Sequence, residues 1–90
     1  MAHALSGELS FRNVVAALDA AREAMEQGEG PFELDLGGVT RADSAALALL
    51  LELAREARDA KRELRITRAP EQLRRLAGFF GVTEVLPLSA

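Results

Sequence analysis

Few side chains in this sequence could do chemistry, and most of those that could lie in one stretch, Leu34-Asp35-Leu36-Gly37-Gly38-Val39-Thr40-Arg41-Ala42-Asp43-Ser44. A hydroxyl beside a carboxylate, Asp43-Ser44, suggests a nucleophile, but no G-x-S-x-G elbow surrounds it and no internal histidine is present to take its proton. The only histidine, His3, stands at the N-terminus with no partner near it in sequence. Gly37-Gly38 is followed by neither a Walker lysine nor a G-x-G-x-x-G pattern, so a phosphate-cradling loop has no support. Asp35 and Asp43 leave two readings open: an acid–base or hard-cation pair still short of a third ligand, or turn and capping residues. With no cysteine, disulfides and thiolate metal sites are excluded. The expectation is a protein with no catalytic activity of its own, no cofactor and no metal.

The same stretch makes better sense as a positioning device. Phe32, Leu34 and Leu36 alternate with Glu33 and Asp35, the period of a strand with one covered face; this strand passes through Gly37-Gly38 into a short loop. Asp43-Ser44 falls where a helix begins, running to about Asp59. A small polar residue there caps free backbone N–H groups at the positive end of the helix dipole. Upstream, Ala4–Leu9 suits a short strand and Ser10 an N-cap for a helix from about Phe11 to Gln27, with Val14, Leu18, Ala21 and Met25 on one face. Gly28 and Gly30-Pro31 end it. Downstream, residues 63–67 form a strand with Leu64 and Ile66 inward, and Pro70 opens a third helix with Leu73, Leu76 and Phe80 on one face and Gly81 as its stop. Val82, Val85 and Leu86 remain for a last short strand. This alternation is an α/β fold, a mixed, mostly parallel sheet of about four strands with three main helices, in one domain spanning 1–90.

Composition narrows the partners. A net charge of −3 and the absence of Trp and Tyr argue against nucleic acid. The longest apolar run, Ala45 to Leu51, is far short of the roughly 20 residues that cross a bilayer, and no signal segment opens the chain, so a soluble cytoplasmic domain is expected. Arg55, Arg58, Lys61, Arg62, Arg65 and Arg68 alternate in part with acids and read as a solvated surface.

The second helix says most about function. Leu47, Leu50 and Ala54 lie opposite Glu52, Glu56 and Asp59 on the helical wheel. The outer side above Glu52 carries Ala45 and Ala48, with Leu49 beside them and Ser44 at the rim. Two readings stay open: alanine as a good helix former, or a smooth docking surface for a partner helix.

Three segments resemble a known family: Leu5-Ser6-Gly7-Glu8-Leu9, Leu34-Asp35-Leu36-Gly37-Gly38-Val39, and Asp43-Ser44 entering a leucine-rich helix. Together they are similar to the STAS domain, the fold of bacterial anti-sigma-factor antagonists. Within it, the run from Arg41-Ala42-Asp43-Ser44 to Leu47-Ala48-Leu49-Leu50-Leu51, with the closing Val85-Leu86-Pro87, is most similar to the MlaB group, cytoplasmic STAS subunits of phospholipid ABC transporters. The resemblance implies a binding surface at Ser44. In the antagonists the matching serine is phosphorylated; in the MlaB group the matching residue contacts the transporter's ATPase subunit. With the outer face of the second helix, the expected partner-binding set is Ser44, Ala45, Ala48, Leu49 and Glu52, with Arg41 and Arg55 at the polar rim. Where the family usually has Ser-Gly or Gly-Gly after the hydroxyl residue, this chain has Ala45-Ala46, and the family's usual first strand is not recognisable. An open sheet edge is therefore expected, with self-association through it or its coverage by a partner. Two functions remain: an accessory subunit of an ABC-transporter ATPase, or an antagonist switched by phosphorylation of Ser44.

Overall fold

A computed structural model describes residues 2–83, Leu86 and Leu88. The order is β1 (Ala2–Leu9), α1 (Val14–Glu26), β2 (Phe32–Ala42), α2 (Ser44–Asp59), β3 (Leu64–Thr67) and α3 (Glu71–Phe79). The strands form a parallel sheet in the order β1-β2-β3, and Leu88 adds a parallel bridge to Ile66 beyond β3. Right-handed crossovers that step across a sheet in one direction put their helices on one face. Accordingly α1 packs on α2 and α2 on α3.

The alternation in β2 places Phe32, Leu34 and Leu36 under those helices, all fully buried, against Leu49, Leu50, Leu53, Ile66 and Leu73. Each such side chain contributes about 1.5–3 kcal/mol relative to exposure. Glu33 and Asp35 face the other way, and Arg68 crosses that open face to bind Asp35 at 2.6 and 3.0 Å. Its guanidinium holds the Asp35 carboxyl below the ordinary carboxylate range. Asp35 is thus half of a structural ion pair rather than of an acid–base couple.

Several expected boundaries are corrected. The short loop expected after Gly37-Gly38 is not there: β2 runs on to Ala42, with register shifts against β1. The glycines are there for room, because a Cβ on Gly37 would stand 2.6 Å from the Arg68 guanidinium and one on Gly38 3.0 Å from Ser6 Cβ. Ser10 does not cap α1. It closes a turn, its N–H donating to Asn13 Oδ1 at 2.9 Å and Asn13 N–H donating to its carbonyl at 3.0 Å, so the helix starts at Val14. Pro70 stands just before α3, its carbonyl accepting from Leu73 and Arg74, and Glu71 is the first helical residue.

Phe80 is the larger correction. Leu73 and Ala77 fill the core face of α3, and the helix ends at Phe79, where Gly81 turns the chain at φ 70°. Phe80 is left 54 % exposed, edge-on to Phe79 with ring centroids 5.3 Å apart. At the expected last strand, Val82 is outside any strand, Leu86 is buried, and Val85 lies outside the described residues.

Candidate functional site

Asp43 sets the start of α2. Its backbone is extended, its Oδ1 accepts from Ala45 N–H at 2.8 Å, and its Oδ2 accepts from Phe11 N–H at 3.4 Å, tying the turn after β1 to the same point. The cap is therefore Asp43, and Ser44 is the first helical residue, exposed, with a hydroxyl that makes no hydrogen bond among the described residues. Removing the cap in Asp43→Ala should cost about 0.5–2 kcal/mol. At about 4–8 °C per kcal/mol for a domain of this size, a thermal melt will register it. Asp43→Asn, which keeps the accepting oxygen, should lose little.

From this start the wheel of α2 is fixed. Ala46, Leu47, Leu49, Leu50, Leu53 and Ala57 are buried, whereas Ser44, Ala48 and Arg55 point outward. Leu49 is thus removed from the expected docking surface: it is 1 % exposed and belongs to the core. The cause is Glu56, which faces α1 rather than solvent and accepts two hydrogen bonds from Arg22 at 2.7 and 2.8 Å. Leu49 lies two turns before Glu56 on the same, covered side. Ala45 is half-buried on that shoulder.

Ser44 and Ala48 line an apolar groove of about 370 Å³ together with Leu47, Leu51, Phe80 and Val82. One turn on, Glu52 and Arg55 pair at 2.5 Å, and Arg55 also reaches Asp59 at 2.8 Å. Arg55 holds the Glu52 carboxyl down to about 2, so the pair stays charged across the neutral range. Arg41 sits on the other side of Asp43. It lines a separate cleft of about 450 Å³ at the carboxyl ends of β1 and β2 with Glu8, Ser10, Phe11, Arg12 and Gln72.

The groove residues not foreseen are Leu51, Val82 and the exposed Phe80. The readable sign was Phe79-Phe80, since adjacent residues of one helix cannot both face its core. Among the described residues no cluster of three or more His, Cys, Asp or Glu could hold a metal ion, and no helix is long and apolar enough to cross a membrane. What the geometry offers is a surface: a charge-free groove on an exposed helix, bounded by an ion pair.

A family model described as MlaB, STAS domain, matches residues 3–87. No curated protein matches the sequence. Among solved structures, a sulfate transporter family protein from Wolinella succinogenes is similar at a TM-score of 0.75 and 20 % identity, over 94 % of this chain and 69 % of that one. The anti-sigma factor antagonist SpoIIAA in its unphosphorylated form is similar at 0.74 and 19 % identity, over 99 % of this chain and 78 % of that one. At these identities the two structures speak for the fold, and the family model speaks for the family. The chain belongs to the STAS-domain family, whose members are non-catalytic regulatory modules that work by binding other proteins.

Proposed function

We propose that this protein is an accessory subunit that binds, and stabilises or regulates, the ATPase of a bacterial phospholipid ABC transporter of the Mla type, maintaining outer-membrane lipid asymmetry. It acts in the cytoplasm, held at the inner membrane through that complex. The observation that carries the reading is the groove of Ser44, Leu47, Ala48, Leu51, Phe80 and Val82, where a helix that should be solvated shows no charge for two turns. The match to the MlaB family model supports this choice of partner. The ATPase packs on Ser44 and Ala48, with Ala45 at the shoulder and Glu52, Arg55 and Arg41 at the polar rim.

A second reading is favoured by one observation, the unbonded and exposed Ser44 hydroxyl at the first position of α2. In that reading the chain is an anti-sigma-factor antagonist switched by phosphorylation there. A phosphate would add about −1.5 to −2 charges, welcome at the helix N-terminus but costly against a close-packed partner.

Titration of the ATPase subunit against the chain and against Ser44→Asp tests both. Tight binding to the ATPase, weakened at least tenfold in Ser44→Asp with an unchanged melting temperature, is the expected result. No complex with the ATPase, together with phosphate transfer to Ser44 by a serine kinase that binds the chain, would overturn the transporter reading for the antagonist one. If Ser44→Asp unfolds the domain, Ser44 is structural and the switch falls.

A further inference from the structure

Arginines elsewhere in this chain hold carboxylates, as Arg22 holds Glu56 and Arg68 holds Asp35. Arg12 and Arg41 hold none among the described residues, although both line the cleft of about 450 Å³ at the carboxyl ends of β1 and β2. The acids that share this cleft are engaged within the chain. Glu8 stands beside Arg41 in the strand register, yet its Oε2 accepts from the Ser10 hydroxyl at 2.5 Å. Asp43 spends one oxygen on Ala45 N–H and the other on Phe11 N–H, at 2.8 and 3.4 Å. Gln72 is engaged on its acceptor side: its Oε1 accepts from Ala42 N–H at 3.2 Å, which leaves the amide NH2 over. The cleft therefore holds a surplus of donors, about ten on the two guanidinia alone.

The walls that carry these donors are fixed by the chain itself. In the turn that holds Phe11 and Arg12, Ser10 N–H donates to Asn13 Oδ1, Asn13 Nδ2–H to the Glu8 carbonyl and Arg12 N–H to Ser10 Oγ. Ser10 is buried at the base of that turn. Arg41 comes from the end of β2, and Gln72, in the first turn of α3, is tied to the same strand through Ala42. Three segments thus converge on one cavity, at the end of the strands where open α/β sheets take their ligands. Its volume is within the range of small-molecule sites, about 300–1,000 Å³. Phe11, 74 % exposed and next to Arg12, adds one apolar ring.

We propose that this cleft binds a small phosphomonoester, with its phosphate between Arg12 and Arg41 and its organic body against Phe11. Charge selects the phosphate. A phosphomonoester carries about −1.5 to −2 charges at neutral pH and so answers two guanidinia, whereas a carboxylate answers one. Its terminal oxygens accept several N–H bonds at once, and the planar fork of a guanidinium matches two of them. Glu8 and Asp43 set the limit: a second phosphate in the same cleft would stand against their carboxylates, so the site takes a single one. It belongs to the free chain and does not depend on the ATPase.

Titration of the full chain with phenyl phosphate, followed by its amide NMR spectrum, tests this. We expect saturable shifts centred on Phe11, Arg12, Arg41 and Gln72. Inorganic phosphate should move the same amides with lower affinity, pyrophosphate no more tightly than phosphate, and benzoate most weakly. Arg12→Gln and Arg41→Gln should each weaken phenyl phosphate at least about tenfold, the scale of one charge-assisted contact. Both side chains are exposed, so both variants should fold. Lys61→Gln, beyond the opposite end of α2, should leave the affinity unchanged. Shifts that do not saturate, or that centre on Lys61 instead, overturn the proposal. So does benzoate binding as tightly as phenyl phosphate, pyrophosphate binding more tightly than phosphate, or full affinity in Arg41→Gln. Should either arginine variant fail to fold, the comparison of phenyl phosphate with benzoate on the wild type decides alone.

Discussion

Ala48→Arg should abolish co-purification with the ATPase subunit, a loss of at least a hundredfold in affinity, while the free domain melts within about 2–4 °C of the wild type. The second half follows from position. Ala48 is exposed on the outer side of α2, arginine is nearly as good a helix former as alanine, and surface substitutions of this kind usually stay within about 0.5 kcal/mol. The first half follows from the groove. Leu47, Leu51, Phe80 and Val82 line it with Ser44 and Ala48, so an apolar side chain of the partner seated there contributes about 1.5–3 kcal/mol through burial alone. A guanidinium planted in its floor occupies that space and must lose its hydration when the partner closes. Energy in such contacts concentrates in a few central, water-excluded positions, and Ala48 is at the centre of this one. Binding retained by a folded Ala48→Arg variant would move the ATPase to another surface. Phe80→Ser offers an independent check on the same groove: it should weaken binding without destabilising a core to which the half-exposed ring does not belong.

Much of the fold was legible because local signals agreed with each other. The alternation of Phe32, Leu34 and Leu36 could only be a strand covered on one side, and Gly81 could only end α3. The turn from Asp43 into Ser44 was legible as a helix start, although which of the two caps was decided by the extended backbone of Asp43. Other features depended on partners distant in sequence. The residues after Gly37-Gly38 read as a short loop because nothing nearby announces that β1 pairs with them as far as Ala42. Phe80 fitted the spacing of Leu73 and Leu76, but the small Ala77 took the core position and left the ring at the helix end. In α2 the run Ala45–Leu51 is apolar all round, so its own pattern cannot orient it. Glu56 was the misleading marker: an acid ordinarily denotes solvent, and here it denotes the neighbouring helix that carries Arg22.

That misreading makes Leu49 the sharpest test of how α2 is turned. Leu49 stands next to Ala48 in sequence, yet it is 1 % exposed and packs in the core, so the two positions should respond oppositely. Leu49→Ala removes buried methyl and methylene groups and leaves a space that the surrounding core fills only in part, at a cost of about 2–5 kcal/mol. A domain of 90 residues has little to lose. Single domains hold about 5–15 kcal/mol in all, and small ones bury the smaller share of their surface. The melting temperature should fall by at least about 8 °C, at about 4–8 °C for each kcal/mol. Binding of the ATPase, measured well below the lowered melting temperature, should stay close to that of the wild type, because the truncated side chain never reaches the groove. The alternative outcome is equally clear. A melting temperature unchanged by Leu49→Ala, with binding lost, would mean that α2 is rotated about its axis so that Leu49 faces the partner, and the groove of Ala48 and Phe80 would not be the docking site.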